Sequence, residues 1–501
     1  MSVPGPAYFD YAATTPVDPA VAALMNECLT QDGTFGNPSS SHAFGYAAAA
    51  RVATARRQVA ALIGASAEEI VFTSGATEAN NLALLGCARA NADRGRHLVT
   101  VRTEHKSVLD PCRRLEREGF SVSWLAPGEG GAVTPPTVAA ALRRDTVLVS
   151  VMHANNETGV LQDIAAIGAL CRERGIALHS DAAQSAGKVP VAVHALGADF
   201  LALTAHKLYG PKGIGALFVR RESRALLQPL TFGGGQEWGL RPGTLPVQLI
   251  AGFGLACELA GRALASEGAR LRALTQRLWQ GLDSLGGIHL NGAAAPRVPG
   301  ILNVSFEGVE GESLLKGLSG LALSTGAACD SDSGEPSYVL RALGRGRQLA
   351  ESSLRFSLGR YSTEAEVDFA LNAVCHEVRR LRALSPAAPA PSFPGVATES
   401  GRGGTRVISG EGGAAGEPSW VRFQLLVAGD SVKDARFQAF GCPHTMDTAA
   451  WVSGVLPGRS RAALLPGSPQ DWARIRGVPV EKLGRLFAIE DALRACLAQW
   501  H

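Results

Sequence analysis

The sequence predicts an α/β protein with a mainly parallel central sheet flanked by helices. Short apolar runs at residues 97–101, 147–152 and 201–204 have the length and continuous hydrophobicity of buried strands. Stretches with helical spacing, such as residues 46–63 and 165–174, separate these runs. Because ligands of such sheets bind at the carboxyl ends of the strands, the residues that follow each run are candidates for a site.

The composition is typical of a globular protein and excludes several classes of function. The chain has 501 residues, enough for more than one domain, and 46% of them are hydrophobic. The net charge of +3 is small for this length, so neither nucleic acid nor a membrane is an expected partner. Residues 1–19 lack the pattern of a secretory signal, and the nine cysteines include no CxxC pair. We therefore expect a cytoplasmic protein with reduced thiols.

Two charged residues at strand ends give the first indication of chemistry. One apolar run ends in Asp181, and the run at residues 201–204 leads to Lys207 in a loop that contains glycine and proline. A carboxylate and a lysine in this order suit pyridoxal 5′-phosphate (PLP). The carboxylate keeps the ring nitrogen protonated, and the lysine forms a Schiff base with the aldehyde. The sequence therefore predicts a PLP site at Asp181 and Lys207.

The turn that follows residues 70–73 is the candidate phosphate site. It contains Gly75, and a helix begins at Ala76 and Thr77. The free N–H groups and the positive end of a helix favour an anion there, and Thr77 adds a hydroxyl donor. An ordinary capped helix explains this motif, taken alone, equally well.

Three further polar side chains follow predicted strands. The ring of His105 is suited to stacking on a planar cofactor and moving protons, although a structural histidine is the alternative. Asn156 is either a turn residue or an amide that contacts the cofactor oxygen or a substrate carboxylate. Gln184 follows Asp181 in the same stretch. The convergence of such residues at strand ends is harder to explain by packing than any one of them.

The second half of the chain predicts a smaller α/β unit. A polar glycine loop at residues 233–244 precedes helices at 246–285 and a strand at 301–306. Cys329 lies among small and polar residues, so we expect an exposed thiol on a flexible loop, as nucleophilic chemistry requires. Arg355 has apolar neighbours, which predicts a partly buried guanidinium that clamps a carboxylate.

The C-terminal part predicts a linker and a separate small domain. Residues 384–418 are rich in proline, glycine, alanine and serine, which is typical of a flexible linker. Residues 420–427 and 432–440 then predict a pair of strands, and helices are expected from Gly441 onward and over residues 480–500. A domain of this size lies within the range that folds alone.

The first 380 residues resemble class V, fold-type I PLP enzymes of the cysteine desulfurase family, in the NifS/IscS-like branch. The resemblance rests on the motifs YFDYAATTPVDP, TSGATEANN, TEHKSVLD, NNETGV, HSDAAQSAGK, TAHKLYGPKGIG, RPGTLPV, STGAACDSDSGEPSYVLRALG and LRFSLGRYST. It implies a desulfurase over residues 1–384, with a large PLP domain at about 16–258 and a small domain from 1–15 and 259–384. The linker is then 385–418 and the C-terminal domain 419–501.

The resemblance also implies a role for each matching residue. Lys207 is the Schiff-base lysine, Asp181 the partner of the ring nitrogen, and His105 the stacking, proton-moving histidine. Gln184 and Asn156 lie near the cofactor oxygen, and Asn156 and Arg355 bind the substrate. The phosphate cup consists of Ala76, Thr77, Thr204, Ala205 and His206, and Thr244 joins it from the other subunit, which implies a homodimer. Cys329 takes the sulfur of L-cysteine as a persulfide, leaving L-alanine, and a sulfur-acceptor protein receives it.

The C-terminal domain resembles the NifU/IscU-type iron–sulfur scaffold, through KDARFQAFGC at residues 433–442 and AIEDA at 488–492. That family uses three cysteines and an aspartate to hold a cluster. Here only Cys442 remains, because Ala415 and Arg485 occupy the other cysteine positions and Glu417 that of the aspartate. The resemblance thus implies a degenerate scaffold with no resident metal, in which Cys442 is a remnant and Cys329 a transient iron–sulfur ligand.

Two alternatives remain open at this point. The first is another class V reaction, such as that of a selenocysteine lyase or an aminotransferase; the position of Cys329 favours sulfur transfer. The second is a non-catalytic iron–sulfur carrier or assembly platform, against which the missing ligands of the C-terminal domain argue.

Overall fold

The computed structural model describes residues 6–293, 295–325, 335–390, 393, 404–414 and 417–500. Within these residues the strands form four sheets. The strands are β1 (Ala7–Tyr8), β2 (Ile70–Thr73), β3 (His97–Val101), β4 (Ser121–Leu125), β5 (Thr146–Ser150), β6 (Ala177–Asp181), β7 (Phe200–Thr204), β8 (Gly215–Val219), β9 (Ile288–Leu290), β10 (Ile301–Phe306), β11 (Leu321–Ala322), β12 (Ser324–Thr325), β13 (Ser353–Ser357), β14 (Thr405–Gly412), β15 (Trp420–Ala428) and β16 (Ser431–Phe440).

Helices separate most of these strands along the chain. They are α1 (Pro19–Asn26), α2 (Ala43–Ile63), α3 (Ala76–Ala90), α4 (Lys106–Arg117), α5 (Pro135–Ala141), α6 (Ile164–Glu173), α7 (Val193–Leu196), α8 (Val247–Asp283), α9 (Gly311–Gly317), α10 (Tyr338–Ala342), α11 (Arg347–Glu351), α12 (Glu364–Leu384), α13 (Pro443–Val455), α14 (Pro469–Arg476) and α15 (Phe487–Gln499).

A seven-stranded, mainly parallel sheet forms the centre of the large domain, which confirms the predicted fold class. Its strand order is β2-β8-β7-β6-β5-β3-β4, and the neighbours from β7 to β4 run parallel. Strand β8 is antiparallel to both β2 and β7, so β2 points the same way as the parallel strands. The carboxyl ends of all strands except β8 therefore meet at one edge of the sheet.

Helices cover both faces of this sheet because its strands are apolar throughout. Leu201 and Leu203 of β7 pack into a cluster with α2 and α8, whereas Phe200 and Ala202 pack on the opposite face with α3. The alternation places a hydrophobic core on each side of the sheet, as expected for a parallel sheet that is buried on both faces.

Helix α8 is a single 37-residue helix in the stretch for which the sequence predicts several. Within the part of the chain that the structure describes, it is the one helix with the length and composition of a membrane span. The mean hydropathy of an 18-residue window of this helix is 1.3. Its residues Ile250, Phe253 and Cys257 are buried in the core shared with α2. Burial of this kind explains the apolar face of α8 as that of a core helix.

The smaller unit contains a four-stranded antiparallel sheet in the order β12-β13-β10-β9. Strand β1, near the N-terminus, pairs in parallel with β11 of this unit. The N-terminal arm thus crosses from the smaller unit to the large sheet, and residues 10–14 lie between them. This crossing brings the arm to the cavity described below.

The C-terminal domain is a three-stranded antiparallel sheet, in the order β14-β15-β16, covered by α13, α14 and α15. Strands β15 and β16 match the predicted pair, but β14 lies within the stretch whose composition predicts a linker. Small residues explain the difference. A Cβ atom on Gly410 would lie 2.2 Å from the carbonyl oxygen of Ala492, so the glycines of β14 let the backbone of α15 pack directly on the sheet.

Candidate active site

A cavity of about 750 Å³ lies at the edge where the carboxyl ends of the large-domain strands meet. The strand ends, the N-terminal arm and β13 of the smaller unit all contribute to its wall. Ten of the residues singled out from the sequence line it: Ala76, Thr77, His105, Asn156, Asp181, Gln184, Thr204, His206, Lys207 and Arg355. The structure therefore brings together side chains that are far apart in the sequence.

Two of the described residues predicted for the site do not line this cavity. Ala205 is fully buried behind it, with its N–H group bonded to the carbonyl of Ile214. Thr244 is exposed and lies outside the cavity wall. Cys329 lies outside the described residues, so its placement stays a prediction.

Asp181 lies at the end of β6 and is almost fully buried, with 5% exposure. Its Oδ2 accepts a hydrogen bond of 2.7 Å from the side-chain amide of Asn80, and its Oδ1 accepts one of 2.8 Å from the N–H of Ala183. The site therefore holds a carboxylate that is oriented and buried at the cavity wall.

A second layer of polar groups holds Asn80 in turn. Its Oδ1 lies 3.0 Å from Nε2 of His179, whose Nδ1 lies 2.8 Å from the hydroxyl of Ser150. Burial lowers the pKa of His179 to about 4, so this ring is neutral near pH 7. A neutral ring with its proton on Nε2 donates to Asn80 and accepts from Ser150. The amide of Asn80 is thus fixed with its NH₂ group toward Asp181.

His105 caps the N-terminus of α4 and faces the cavity. Its Nδ1 accepts a hydrogen bond of 3.1 Å from the N–H of Ser107, so in the neutral ring the proton lies on Nε2. Burial lowers the pKa of His105, an effect that Asp181 partly opposes. The ring is therefore positioned as a neutral group whose Nε2 carries the proton.

The turn from Ser74 to Thr77 forms one end of the cavity. Helix α3 begins at Ala76, and its cap, Gly75, has no side chain to satisfy the first N–H groups. The turn also lies against β8, because a Cβ atom on Gly215 would lie 2.6 Å from Cα of Gly75. Two glycines in contact thus bring an open helix N-terminus to the sheet edge, where an anion is favoured.

The N-terminal arm completes the wall beside Lys207. Nε2 of Gln184 donates a 2.8 Å hydrogen bond to the carbonyl of Ala12, and Nδ1 of His206 lies 3.2 Å from the hydroxyl of Thr14. Burial lowers the pKa of His206 to about 4, and the charge of Lys207 acts in the same direction. The motif FDYAATT therefore serves to position side chains of the site, a function that the sequence alone did not assign to it.

Arg355 in β13 is 3% exposed and lines the cavity opposite the sheet. Its Nη2 donates to Asp10 at 2.8 Å and its Nη1 to the carbonyl of Asn156 at 2.9 Å. The buried Nε of Arg355 and Oδ1 of Asn156 have no hydrogen-bond partner within the described part of the chain. Buried polar atoms of this kind are rare in folded proteins, and these two are candidates to contact a ligand in the cavity.

The described residues on either side of the Cys329 segment contact this cavity or residues next to its wall. On one side Ser324 lines the cavity and pairs with Arg355 in the sheet. On the other side the hydroxyl of Ser337 donates a 2.5 Å hydrogen bond to Glu157, and that of Tyr338 a 2.8 Å bond to the carbonyl of Glu104. The residues that anchor Ser337 and Tyr338 are thus the immediate neighbours of Asn156 and His105.

The C-terminal domain docks on α9, away from this cavity. The hydroxyl of Ser313 donates a 2.8 Å hydrogen bond to the carbonyl of Gly441, and Lys316 pairs with Asp447 at 2.8 Å. Cys442, next to Gly441, is fully buried. Arg485 lies 3.9 Å from Glu310, Glu417 accepts from the N–H of Ala414, and Ala415 lies outside the described residues. Among the residues described here, no group of three His, Cys, Asp or Glu side chains is placed to hold a metal ion.

Comparisons with known proteins agree with this geometry. The family model for class V aminotransferases matches residues 7–369. Cysteine desulfurase IscS of Aeromonas hydrophila is 57% identical over 382 residues, which are 76% of this chain and 95% of that protein.

Two solved structures share the fold. A NifS-like protein has a TM-score of 0.70 at 35% identity and covers 75% of this chain and 100% of its own. SspA in complex with cysteine has a TM-score of 0.64 at 38% identity and covers 71% and 100%. The chain therefore belongs to the class V aminotransferase family and, within it, to the cysteine desulfurases of the IscS/NifS-like group.

Proposed function

We propose that this protein is a PLP-dependent cysteine desulfurase that converts L-cysteine to L-alanine and transfers the sulfur to Cys329. One observation carries the proposal. A single cavity is lined by a buried carboxylate at Asp181, a lysine at Lys207 and a guanidinium at Arg355, together with the phosphate-type turn at residues 74–77. A carboxylate, an amine and an anion site in one cavity match the three parts of PLP, and Arg355 remains for the substrate.

The residues present fit PLP on three independent points. The carboxylate of Asp181 is buried and held by two hydrogen bonds, as the protonated ring nitrogen requires. The open N-terminus of α3, together with Thr77, Thr204 and His206, offers hydrogen-bond donors for a phosphate. Asn156, whose Oδ1 has no partner among the described residues, lies in the wall of the same cavity, where its amide group would contact the cofactor oxygen or the substrate. When bound, PLP supplies an electron sink that makes the Cβ–S bond of cysteine breakable.

The chain's own side chains hold and protect this chemistry. Lys207 would hold the cofactor covalently, and Gln184 would donate to its phenolic oxygen. His105 would stack on the ring, and its depressed pKa keeps it neutral, so that its Nε2–H would serve as a donor next to the cofactor. Arg355, already oriented by Asp10 and by the carbonyl of Asn156, would bind the substrate carboxylate.

Sulfur transfer needs a thiolate, and we assign it to Cys329. The thiolate attacks the sulfur of bound cysteine, so that an S–S bond forms while the Cβ–S bond breaks. The electron pair of the broken bond stays with the carbon fragment, which takes up a proton and leaves as alanine. The positions of Ser324, Ser337 and Tyr338 support this assignment, because Ser324 lines the cavity and the other two bond to the chain neighbours of Asn156 and His105.

A homodimer accounts for the position of Thr244. Thr244 is exposed in its own chain. Other residues of the same loop contact β2 and the start of α3 of their own subunit. Glu237 of the loop accepts a 2.7 Å hydrogen bond from the N–H of Phe72, and Arg241 pairs with Glu78 at 2.9 Å. Exposed aromatic side chains on the large domain, Phe35, Phe44, Tyr46 and Phe232, offer an apolar surface for a second copy.

We assign the C-terminal domain as a degenerate NifU/IscU-like scaffold that is docked on the enzyme. The burial of Cys442 and the pairing of Arg485 with Glu310 suit packing rather than cluster ligation. The sulfur of Cys329 would therefore pass to a separate acceptor protein, in the cytoplasm, for iron–sulfur assembly or another thio-cofactor.

A product assay tests the proposed reaction directly. The PLP-loaded protein is given L-cysteine and a thiol reductant, and alanine and sulfide are quantified together. Equal amounts of both products are expected. Amino transfer from cysteine to a keto acid without sulfide, or turnover with selenocysteine alone, would contradict the proposal in favour of another class V reaction.

A further inference from the structure

Lys188 lies directly behind the cavity wall and contacts one of its residues. It follows Gln184 by four positions in the turns after β6, a spacing that puts both side chains on one side of the segment. Its Nζ donates a hydrogen bond of 2.9 Å to Oε1 of Gln184. Lys188 also lines a small cavity of about 20 Å³, of which Lys207 forms part of the wall. Lys207 and Gln184 thus lie between Lys188 and the large cavity.

This contact fixes which atom of the Gln184 amide donates. Oε1 accepts from the ammonium of Lys188, and Nε2 donates to the carbonyl of Ala12. A 180° flip would place the NH₂ group against the ammonium and the oxygen against the carbonyl of Ala12, so both contacts oppose it. One hydrogen of Nε2 is left, and Gln184 lines the large cavity. The hydrogen-bond network therefore presents a donor, and not an acceptor, to a ligand in that cavity.

Burial and the charged side chains around Lys188 change its pKa. The ionisable side chains that face it are Tyr11, His206, Lys207, Tyr209, Glu267, Arg355 and Arg360. Burial lowers the pKa of Lys188 to about 7, and Lys207 and Arg355 act in the same direction, whereas Glu267 opposes them. Lys188 and Lys207 are thus two amines close enough to influence each other's proton affinity.

We propose that Lys188 is a positioning residue of the PLP site: it orients Gln184 toward the phenolic oxygen of the cofactor, and its charge lowers the proton affinity of the Lys207 nitrogen. The inference rests on the proposed function, since it needs PLP on Lys207. A hydrogen bond to the phenolic oxygen and a nearby positive charge both disfavour an added proton on that nitrogen. Loss of Lys188 therefore raises this proton affinity through both routes.

The test is a spectrophotometric pH titration of the PLP-loaded protein without substrate. The visible band of a lysine-bound PLP changes when the lysine nitrogen takes up a proton. In Lys188→Met we expect the midpoint of this change to lie about one pH unit higher than in the wild type, a roughly tenfold increase in proton affinity. Lys188→Arg restores a charged donor and returns the midpoint toward the wild type. Lys433→Met, at an exposed lysine of the C-terminal domain, leaves it unchanged.

A double variant separates the role of Gln184 from that of charge alone. In a Gln184→Leu background, Lys188→Met is expected to shift the midpoint by less than in the wild-type background, because part of its effect acts through the amide. Lys188→Gln, a neutral residue that retains an N–H donor, serves if the methionine variant does not fold. Equal midpoints for wild type, Lys188→Met and Lys188→Gln, all loaded with PLP, would overturn the inference. A wild-type protein that acquires no visible band with PLP would instead contradict the proposed function.

Discussion

The side-chain amide of Asn80, in the second turn of α3, donates a 2.7 Å hydrogen bond to Oδ2 of Asp181 at the end of β6, and both residues are buried. The same amide nitrogen lies 2.9 Å from the hydroxyl of Ser107, beside His105. Asn80 thus joins α3, the carboxylate of Asp181 and the segment that carries His105 into one polar network. The geometry of the site depends on a residue that is not itself in contact with the cavity.

Replacement of Asn80 by alanine tests this network. Asp181 would lose one of the two hydrogen bonds that hold its carboxylate in place at the cavity wall. We expect Asn80→Ala to weaken PLP binding by about 1–3 kcal/mol, roughly ten- to a hundredfold in Kd. Titration of the apoprotein with PLP, followed by absorbance, measures the loss. Asn81→Ala is the matched control, because within the described residues the Asn81 amide bonds to the carbonyl of Thr77 on its own helix and not to Asp181. Equal affinities for the two variants would exclude the role of Asn80.

The buried histidines predict an acid-sensitive stability. Burial lowers the pKa of His153 and of His179 to about 4 in the folded chain, below the value of about 6.5 in an unfolded chain. Between these values the unfolded state binds more protons, so the free energy of unfolding falls as pH drops from about 6.5 to about 4. Each histidine contributes a slope of up to about 1.4 kcal/mol per pH unit.

Denaturant unfolding of the apoprotein across this pH range measures the slope. His179→Gln is expected to reduce it by the contribution of one histidine, and the exposed His376→Gln to leave it unchanged. A slope that is the same in the wild type and in His179→Gln would mean that His179 is protonated in the folded protein.

A hybrid dimer tests whether Thr244 serves the partner's site. Subunits that carry Lys207→Ala and Thr244→Ala are co-expressed with different tags, and the mixed dimer is purified. If Thr244 acts across the interface, the Thr244→Ala subunit receives its threonine from the other chain. That site then binds PLP with wild-type affinity. If instead its affinity equals that of the Thr244→Ala homodimer, Thr244 acts within its own subunit.

Because α15 packs directly on β14, we expect a branched side chain at Gly410 to lower the stability of the C-terminal domain. Gly410→Val places Cβ against the carbonyl of Ala492 and the N–H of Cys496, which must move apart. We expect the free energy of unfolding of this domain to fall by about 1–3 kcal/mol or more, whereas the PLP band is retained.

Thermal unfolding followed by near-UV and visible circular dichroism distinguishes unfolding of the C-terminal domain from loss of the PLP site. Gly454→Ala, which has open space on α13, is the control. Loss of the PLP band in Gly410→Val would mean that the C-terminal domain supports the site.

The sequence predicted most of the wall of the cavity, because the rule that ligands bind at strand ends needs only local information. Asp181, Lys207, His105 and Asn156 each follow an apolar run, and the parallel sheet brings such ends together. Asn80, Lys188 and Glu157 were not identified, because their function depends on a partner atom. The hydrogen bond from Asn80 to Asp181 joins α3 to β6, and no local pattern in the sequence predicts it.

Composition misled the interpretation of residues 405–412. Glycine, serine and threonine there predict a linker, yet the stretch is a strand whose small residues let a helix backbone approach the sheet. A sequence does not distinguish a glycine that makes a linker flexible from a glycine that allows two backbones to pack closely. Only the register of β14 against β15 distinguishes the two.

The most direct test of the central claim is to locate the sulfur after one turnover. The PLP-loaded protein is mixed with L-cysteine without reductant, trapped with an alkylating reagent and digested, and the peptides that contain Cys329 and Cys442 are examined by mass spectrometry. The account predicts one added sulfur atom on Cys329 in the wild type, and in Cys329→Ala a retained PLP band with no persulfide and no alanine beyond background. Alanine formation at the wild-type rate in Cys329→Ala would contradict it.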